Sequence, residues 1–103
     1  MIDIKKLKEL NSLEHYAITV HAKTRLYERN ISIDDVVSCI SNGEIIKQYE
    51  NDKPLPSCLV LGISVNNKYL HVVVSHDEEF IYLITAYYPD PEKWSKNFKT
   101  RRK

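Results

Sequence analysis

Two glycines, two cysteines and four prolines among 103 residues leave several classes without material. Two glycines cannot supply a G-x-G-x-x-G turn or a Walker loop to cradle phosphates. Cys39 and Cys58 have no C-x-x-C spacing and make neither a disulfide framework nor a zinc site; reduced thiols acting as small hydrophobes are expected. Apolar runs such as Phe80–Ile84 and Val72–Val74 fall far short of the ~20 residues that span a bilayer. No basic start followed by an apolar stretch marks a secretory signal, so a cytoplasmic location is expected. His71 and His76 lie five apart in a strand-like run, on opposite faces, and cannot share a metal. No metal or other cofactor is expected. What remains is globular: 43% hydrophobic and 28% charged residues, in a chain with room for a single domain spanning 1–103.

The net charge of +1 conceals an uneven distribution. Lys93, Lys96, Lys99, Arg101, Arg102 and Lys103 oppose only Glu92 in the last thirteen residues, while acids outnumber bases in the preceding ninety. A basic tail on a mildly acidic body is a footprint for a polyanion such as RNA, or else a solvated end.

The spacing predicts a helix over 4–13 (Ile4, Leu7 and Leu10, with Asp3 as N-cap) and another over 20–30 that ends at Asn30, a residue that tolerates the left-handed region. Tyr16 to Val20 is either a strand or the lead-in to that helix. A third helix is predicted over 33–42. Ser32 caps it, Asp34 and Asp35 sit in its first turn, and Ile33, Val36, Val37 and Ile40 form one apolar stripe. Beyond Gly43 the period falls to two, which predicts strands over 44–50, 57–65, 68–76 and 79–88, with Asn66-Asn67 as a hairpin turn. Pro91 suits the start of a closing helix over 91–98. The fold class is α+β: a three- to four-stranded antiparallel sheet preceded by two or three helices and closed by a short C-terminal helix. Ile33, Val36, Val37, Ile40, Leu59, Leu61, Leu70, Val72 and Val74 are the predicted core.

Two features could carry chemistry. His21, Arg25 and Arg29 recur at i, i+4, i+8 on one ridge of the second helix, with Glu28 between the last two. Guanidinium forks match phosphate oxygens, and imidazole moves protons near neutral pH; the plain alternative is an exposed stripe in which Glu28 pairs with Arg25. The other feature is the strand face Tyr69, His71, Val73, Ser75, opposite Leu70, Val72 and Val74. Thr85 and Tyr87 of the next strand share one face, but sequence does not fix whether it is the face of His71. His, Arg, Tyr and Lys together suit metal-independent RNA cleavage, in which the 2′-hydroxyl is the nucleophile and the protein supplies a base, an acid and cations.

The run Thr19 to Ser32 contains His21-Ala22, Arg25, Glu28-Arg29 and Ile31-Ser32, and resembles the H-A-x-x-R-x-x-E-R-x-I-S opening of a bacterial domain of unknown function, family DUF4258. Asn42–Ile46, Pro56–Gly62, Leu70–Val74 and Tyr88–Trp94 are similar to later stretches of that family. The likeness spans 17–98, leaving 1–16 as a helical extension and 99–103 as a basic tail. Asn30 stands where the family commonly has Gly; both tolerate a positive φ. The resemblance implies a RelE/barnase-like RNase toxin, with a sheet flanked by helices, no metal, and a zinc-finger/helix-turn-helix antitoxin as partner. The expectation is then a metal-independent endoribonuclease of a toxin–antitoxin pair. His21 or His71 acts as base and the other histidine or Tyr87 as acid, while Arg25 and Arg29 stabilise the phosphate and the Lys/Arg tail tracks the RNA backbone. His21, Arg25 and His71 are expected to line one open groove. The alternative is a non-catalytic protein- or RNA-binding module of the same fold.

Overall fold

The computed structural model describes residues 1–100. Helix α1 (Ile4–Leu10) is capped by the Asp3 carboxylate, which accepts from the Lys5 backbone N–H at 2.9 Å, and it buries Leu7 and Leu10. It ends at Leu10 instead of 13. The Asn11 side chain is engaged elsewhere, donating to the Val37 carbonyl and accepting from the Tyr16 hydroxyl, and a short 3-10 turn, Leu13–His15, follows.

Strand β1 (Tyr16–Ile18) settles the ambiguous run as a strand. Helix α2 (Val20–Glu28) starts on Thr19, whose Oγ1 accepts from the Ala22 N–H, and Asn30 ends the segment at φ 57°. Helix α3 (Ile33–Asn42) opens with a full capping box between Ser32 and Asp35. The buried Asp35 carboxylate also accepts from the Val65 N–H at 3.1 Å, tying the helix start to a strand end. Val36, Cys39 and Ile40 are fully buried, whereas Ile33 and Val37, both predicted core, are half-buried at the stripe's margin.

Strands β2 (Glu44–Tyr49), β3 (Ser57–Ile63), β4 (Tyr69–His76) and β5 (Ile81–Tyr87) form an antiparallel meander. The sheet has five strands, one more than predicted, in the order β1-β5-β4-β3-β2, with β1 parallel to β5. Cys58, Val60, Leu70, Val72, Val74, Leu83 and Ala86 meet Leu7, Leu26, Cys39 and Ile40 in one core, which defines the near, helix-covered face. α3 lies so close to β3 that a Cβ on Gly62 would sit 2.2 Å from the Cys39 carbonyl oxygen.

Leu59 and Leu61, both predicted core, are buried, but on the far face: the register pairs Leu59 with Val73 and Leu61 with His71, opposite Leu70, Val72 and Val74. The far face is covered because one expectation needs correction: no helix closes residues 91–98. Lys93 N–H and Trp94 N–H both bond the Asp90 carbonyl in a single turn, and Phe98 then adopts φ 59°, which no right-handed helix accommodates. The segment instead lies across the far face and covers it.

Candidate functional site

The far face is built around a bulge. Val73 pairs with Thr85 and Val74 with Leu83, so Ile84 has no partner on β4 and is left exposed. The extra residue shifts the alternation. Leu83 and Ala86 both reach the near-face core, while Thr85 pairs with Val73 and Tyr87 with His71. Thr85 and Tyr87 therefore share the face of His71, which answers the register question.

Helix α2 packs against β5, with Ala22 and Leu26 buried. At its C-cap, Arg29 Nη1 donates to Thr85 Oγ1 at 3.0 Å and to the Ala86 carbonyl at 2.9 Å. β1 pairs only with Ile81–Leu83, so Arg29 serves backbone that β1 has left behind. Its guanidinium is thereby fixed where the ridge meets the far face. Arg25, one turn earlier, is exposed, with its Nη1 3.6 Å from Glu28. An exposed pair of that spacing contributes a few tenths of a kcal/mol and leaves Arg25 free to exchange partners. His21, a further turn away, is exposed, and no hydrogen bond or ion pair engages its ring among the described residues.

His71 is placed otherwise than expected. It is fully buried. Its Nε2 donates to the Phe98 carbonyl at 2.8 Å, which leaves Nδ1 to accept from the Tyr87 hydroxyl at 3.3 Å. Trp94 and Tyr87 meet the imidazole edge-on, at centroid distances of 4.4 and 5.3 Å. Burial holds the imidazole below its ordinary pKa, and only in part does the Phe98 carbonyl oppose this. The result is a neutral imidazole clamping the C-terminal segment to the sheet. The structure thus gathers Arg29, Tyr87 and His71 on one face and leaves His21 and Arg25 along an exposed ridge. The single open groove expected for His21, Arg25 and His71 is not formed, because Trp94 and Phe98 enclose His71.

Of the basic tail, Lys93, Lys96 and Lys99 are exposed. Lys99 Nζ lies 2.6 Å from Glu44, anchoring the segment to β2. Arg101, Arg102 and Lys103 lie outside the described residues. Sequence reasoning passed over Trp94, Lys47 and Tyr49, which border the far face. The alternation that places Lys47 and Tyr49 on one side of β2 was the available signal. Both thiols are pushed up to about 12 by burial and are chemically quiet. Among the described residues no group of three His, Cys, Asp or Glu could hold a metal ion, and no helix is long and apolar enough to cross a membrane.

The family model described as "Domain of unknown function (DUF4258)" matches residues 18–88, and the chain belongs to that family. The match runs from the last residue of β1 through β5, including the α2 ridge and the bulged strand, and stops short of Trp94 and Phe98. No curated protein and no solved structure matches the chain.

Proposed function

We propose that this DUF4258 member acts on RNA in the cytoplasm as a metal-independent endoribonuclease of the toxin type, with the ridge of α2 as its phosphate clamp. The observation that carries this is the graded ridge. Arg29 is fixed on β5 by two hydrogen bonds, while Arg25 and His21 stand exposed on successive turns. Side chains four apart on a helix are neighbours, so an imidazole and a guanidinium can address one phosphate. His21 takes the 2′-hydroxyl proton as that oxygen bonds to phosphorus, and Arg25 and Arg29 stabilise the phosphorane as its charge develops. The P–O5′ bond then breaks, the departing 5′-oxygen taking its proton from water and leaving a 2′,3′-cyclic phosphate. His71 is not assigned as acid or base, since both of its nitrogens are occupied. An antitoxin would silence the protein by covering the ridge.

One observation favours a second function, RNA binding without cleavage: His71 is enclosed with both ring nitrogens engaged, so it does not supply the acid expected beside His21. One experiment separates the two. The endoribonuclease should cut single-stranded RNA in the presence of a chelator, leave 2′,3′-cyclic or 2′/3′-phosphate ends, and spare DNA, which lacks the nucleophile. Arg25→Ala should slow turnover on the order of 10²–10³ with a smaller effect on affinity. Cleavage at the wild-type rate by both His21→Ala and Arg25→Ala defeats the assignment. Wild type that binds RNA but never cuts it establishes the binding module.

A further inference from the structure

Among the described residues, the far face beside the clamped His71 is not sealed. Between β2 and β5, under the C-terminal segment, lies a notch of about 270 Å³. Leu59 lies between the two strands, Tyr87 and Trp94 border one side, Lys47 and Tyr49 the other, and Lys99 the rim. Small-molecule pockets usually run from about 300 to 1,000 Å³, so this one suits a single ring system. Tyr49, Tyr87 and Trp94 border one small apolar floor, and aromatic side chains are what a flat heterocycle stacks on, whichever the base. The cations are unequal. Lys99 is neutralised by Glu44, whereas Lys47 Nζ lies 5.4 Å from the Tyr49 ring centroid and has no ion pair among the described residues. A phosphate attached to a stacked base would meet Lys47.

We infer that this notch is a nucleotide-binding subsite, which takes one base between Tyr49, Tyr87 and Trp94 and its phosphate on Lys47. The inference rests on the proposed action on RNA and specifies where that RNA places one nucleotide. The bound chemistry, a base carrying a phosphate, is common to RNA and to a free nucleotide.

Trp94 is the chain's single tryptophan, so the notch carries its own probe. Intrinsic fluorescence of the full chain is titrated with AMP, with adenosine and with a short single-stranded oligoribonucleotide. AMP should quench Trp94 saturably and bind tighter than adenosine. Lys47→Ala should reduce AMP to the affinity of adenosine, and Tyr49→Ala should weaken both by roughly ten- to a hundredfold. Both positions lie on an edge strand, and Lys47 is exposed, so its variant tests the notch without disturbing the core. An oligoribonucleotide that binds tighter than AMP identifies RNA as the source, and equal affinities identify a free nucleotide. Absence of saturable quenching by AMP and oligoribonucleotide alike, or quenching unchanged in both variants, overturns the subsite. His21→Ala and Arg25→Ala should leave AMP quenching intact. RNA cleaved by wild type without any quenching of Trp94 therefore sinks the subsite alone, whereas AMP quenching without cleavage of any RNA upholds the subsite and sinks the nuclease.

Discussion

Replacing His71 by alanine tests the central claim, that this histidine is a clamp and not a catalyst. The substitution removes the 2.8 Å hydrogen bond to the Phe98 carbonyl, a contribution of about 1 kcal/mol. It also removes two edge-on ring contacts, to Trp94 at 86° and to Tyr87 at 74°, which contribute about 0.5–1.5 kcal/mol each. A cavity opens beneath Trp94 as well, and its cost depends on how far the segment settles. The sum is roughly 3 kcal/mol, large for a single substitution but below the exceptional range. For a domain of this size the thermal midpoint should fall by about 10–20 °C. Urea unfolding followed by both Trp94 emission and far-UV circular dichroism separates local from global loss. In His71→Ala the emission should redden at a lower urea concentration than the one that melts the helices. A variant within about 0.5 kcal/mol of wild type, with unchanged emission, would refute the clamp.

Acidification should act on the same contact. Burial lowers the pKa of His71 in the folded state, so the unfolded chain takes up the proton first. The contribution of His71 is complete above the unfolded value near 6.5 and is lost as pH falls from there through the depressed folded value; urea midpoints of wild type should drop over that window, and those of His71→Phe should not. A second, separate loss belongs to Asp77. The Tyr82 hydroxyl, then the Glu79 and Phe80 backbone N–H groups, hold its carboxyl at about 2, so the β4–β5 turn should keep its support above pH ~4 and lose it toward pH 2, visible as line broadening of its amide resonances. Arg29→Ala should cost about 1–2 kcal/mol, because it strips the Ala86 carbonyl and the Thr85 hydroxyl of a charged donor, whereas Arg25→Ala should remain within about 0.5 kcal/mol of wild type in the same denaturation assay. Gly62→Ala should cost several kcal/mol by thermal melt, since its Cβ would meet the Cys39 carbonyl oxygen at 2.2 Å.

Most of the fold was legible because each element is announced locally. Thr19 and Ser32 cap their helices, Asn30 and Asn67 take the positive φ their positions demand, and the alternation of β3 and β4 marks two faces. What alternation could not show is how the faces combine. β3 reads Ser57-Cys58-Leu59-Val60-Leu61-Gly62-Ile63, apolar on both sides, and such a strand calls for cover on both sides. Leucine looks like the better core residue than cysteine or glycine, but α3 approaches β3 so closely that only the small side admits it. The leucines are thus left for whatever covers the other face. That cover is Trp94 and Phe98, read from sequence as a helix because Pro91 followed by helix-tolerant residues satisfies a local rule, while the hydrogen bond from His71 to Phe98 is set 27 residues away. The same distance dependence governs the site. The ridge of His21, Arg25 and Arg29 is a local periodicity, legible from spacing alone. The bulge at Ile84, which brings Thr85 and Tyr87 to the face of His71, is a property of two strands in register and leaves no mark in either alone. A histidine in the middle of an apolar strand is therefore ambiguous until its cover is known. Here the cover makes it structural, and the proposed chemistry falls to the exposed side chains of the α2 ridge.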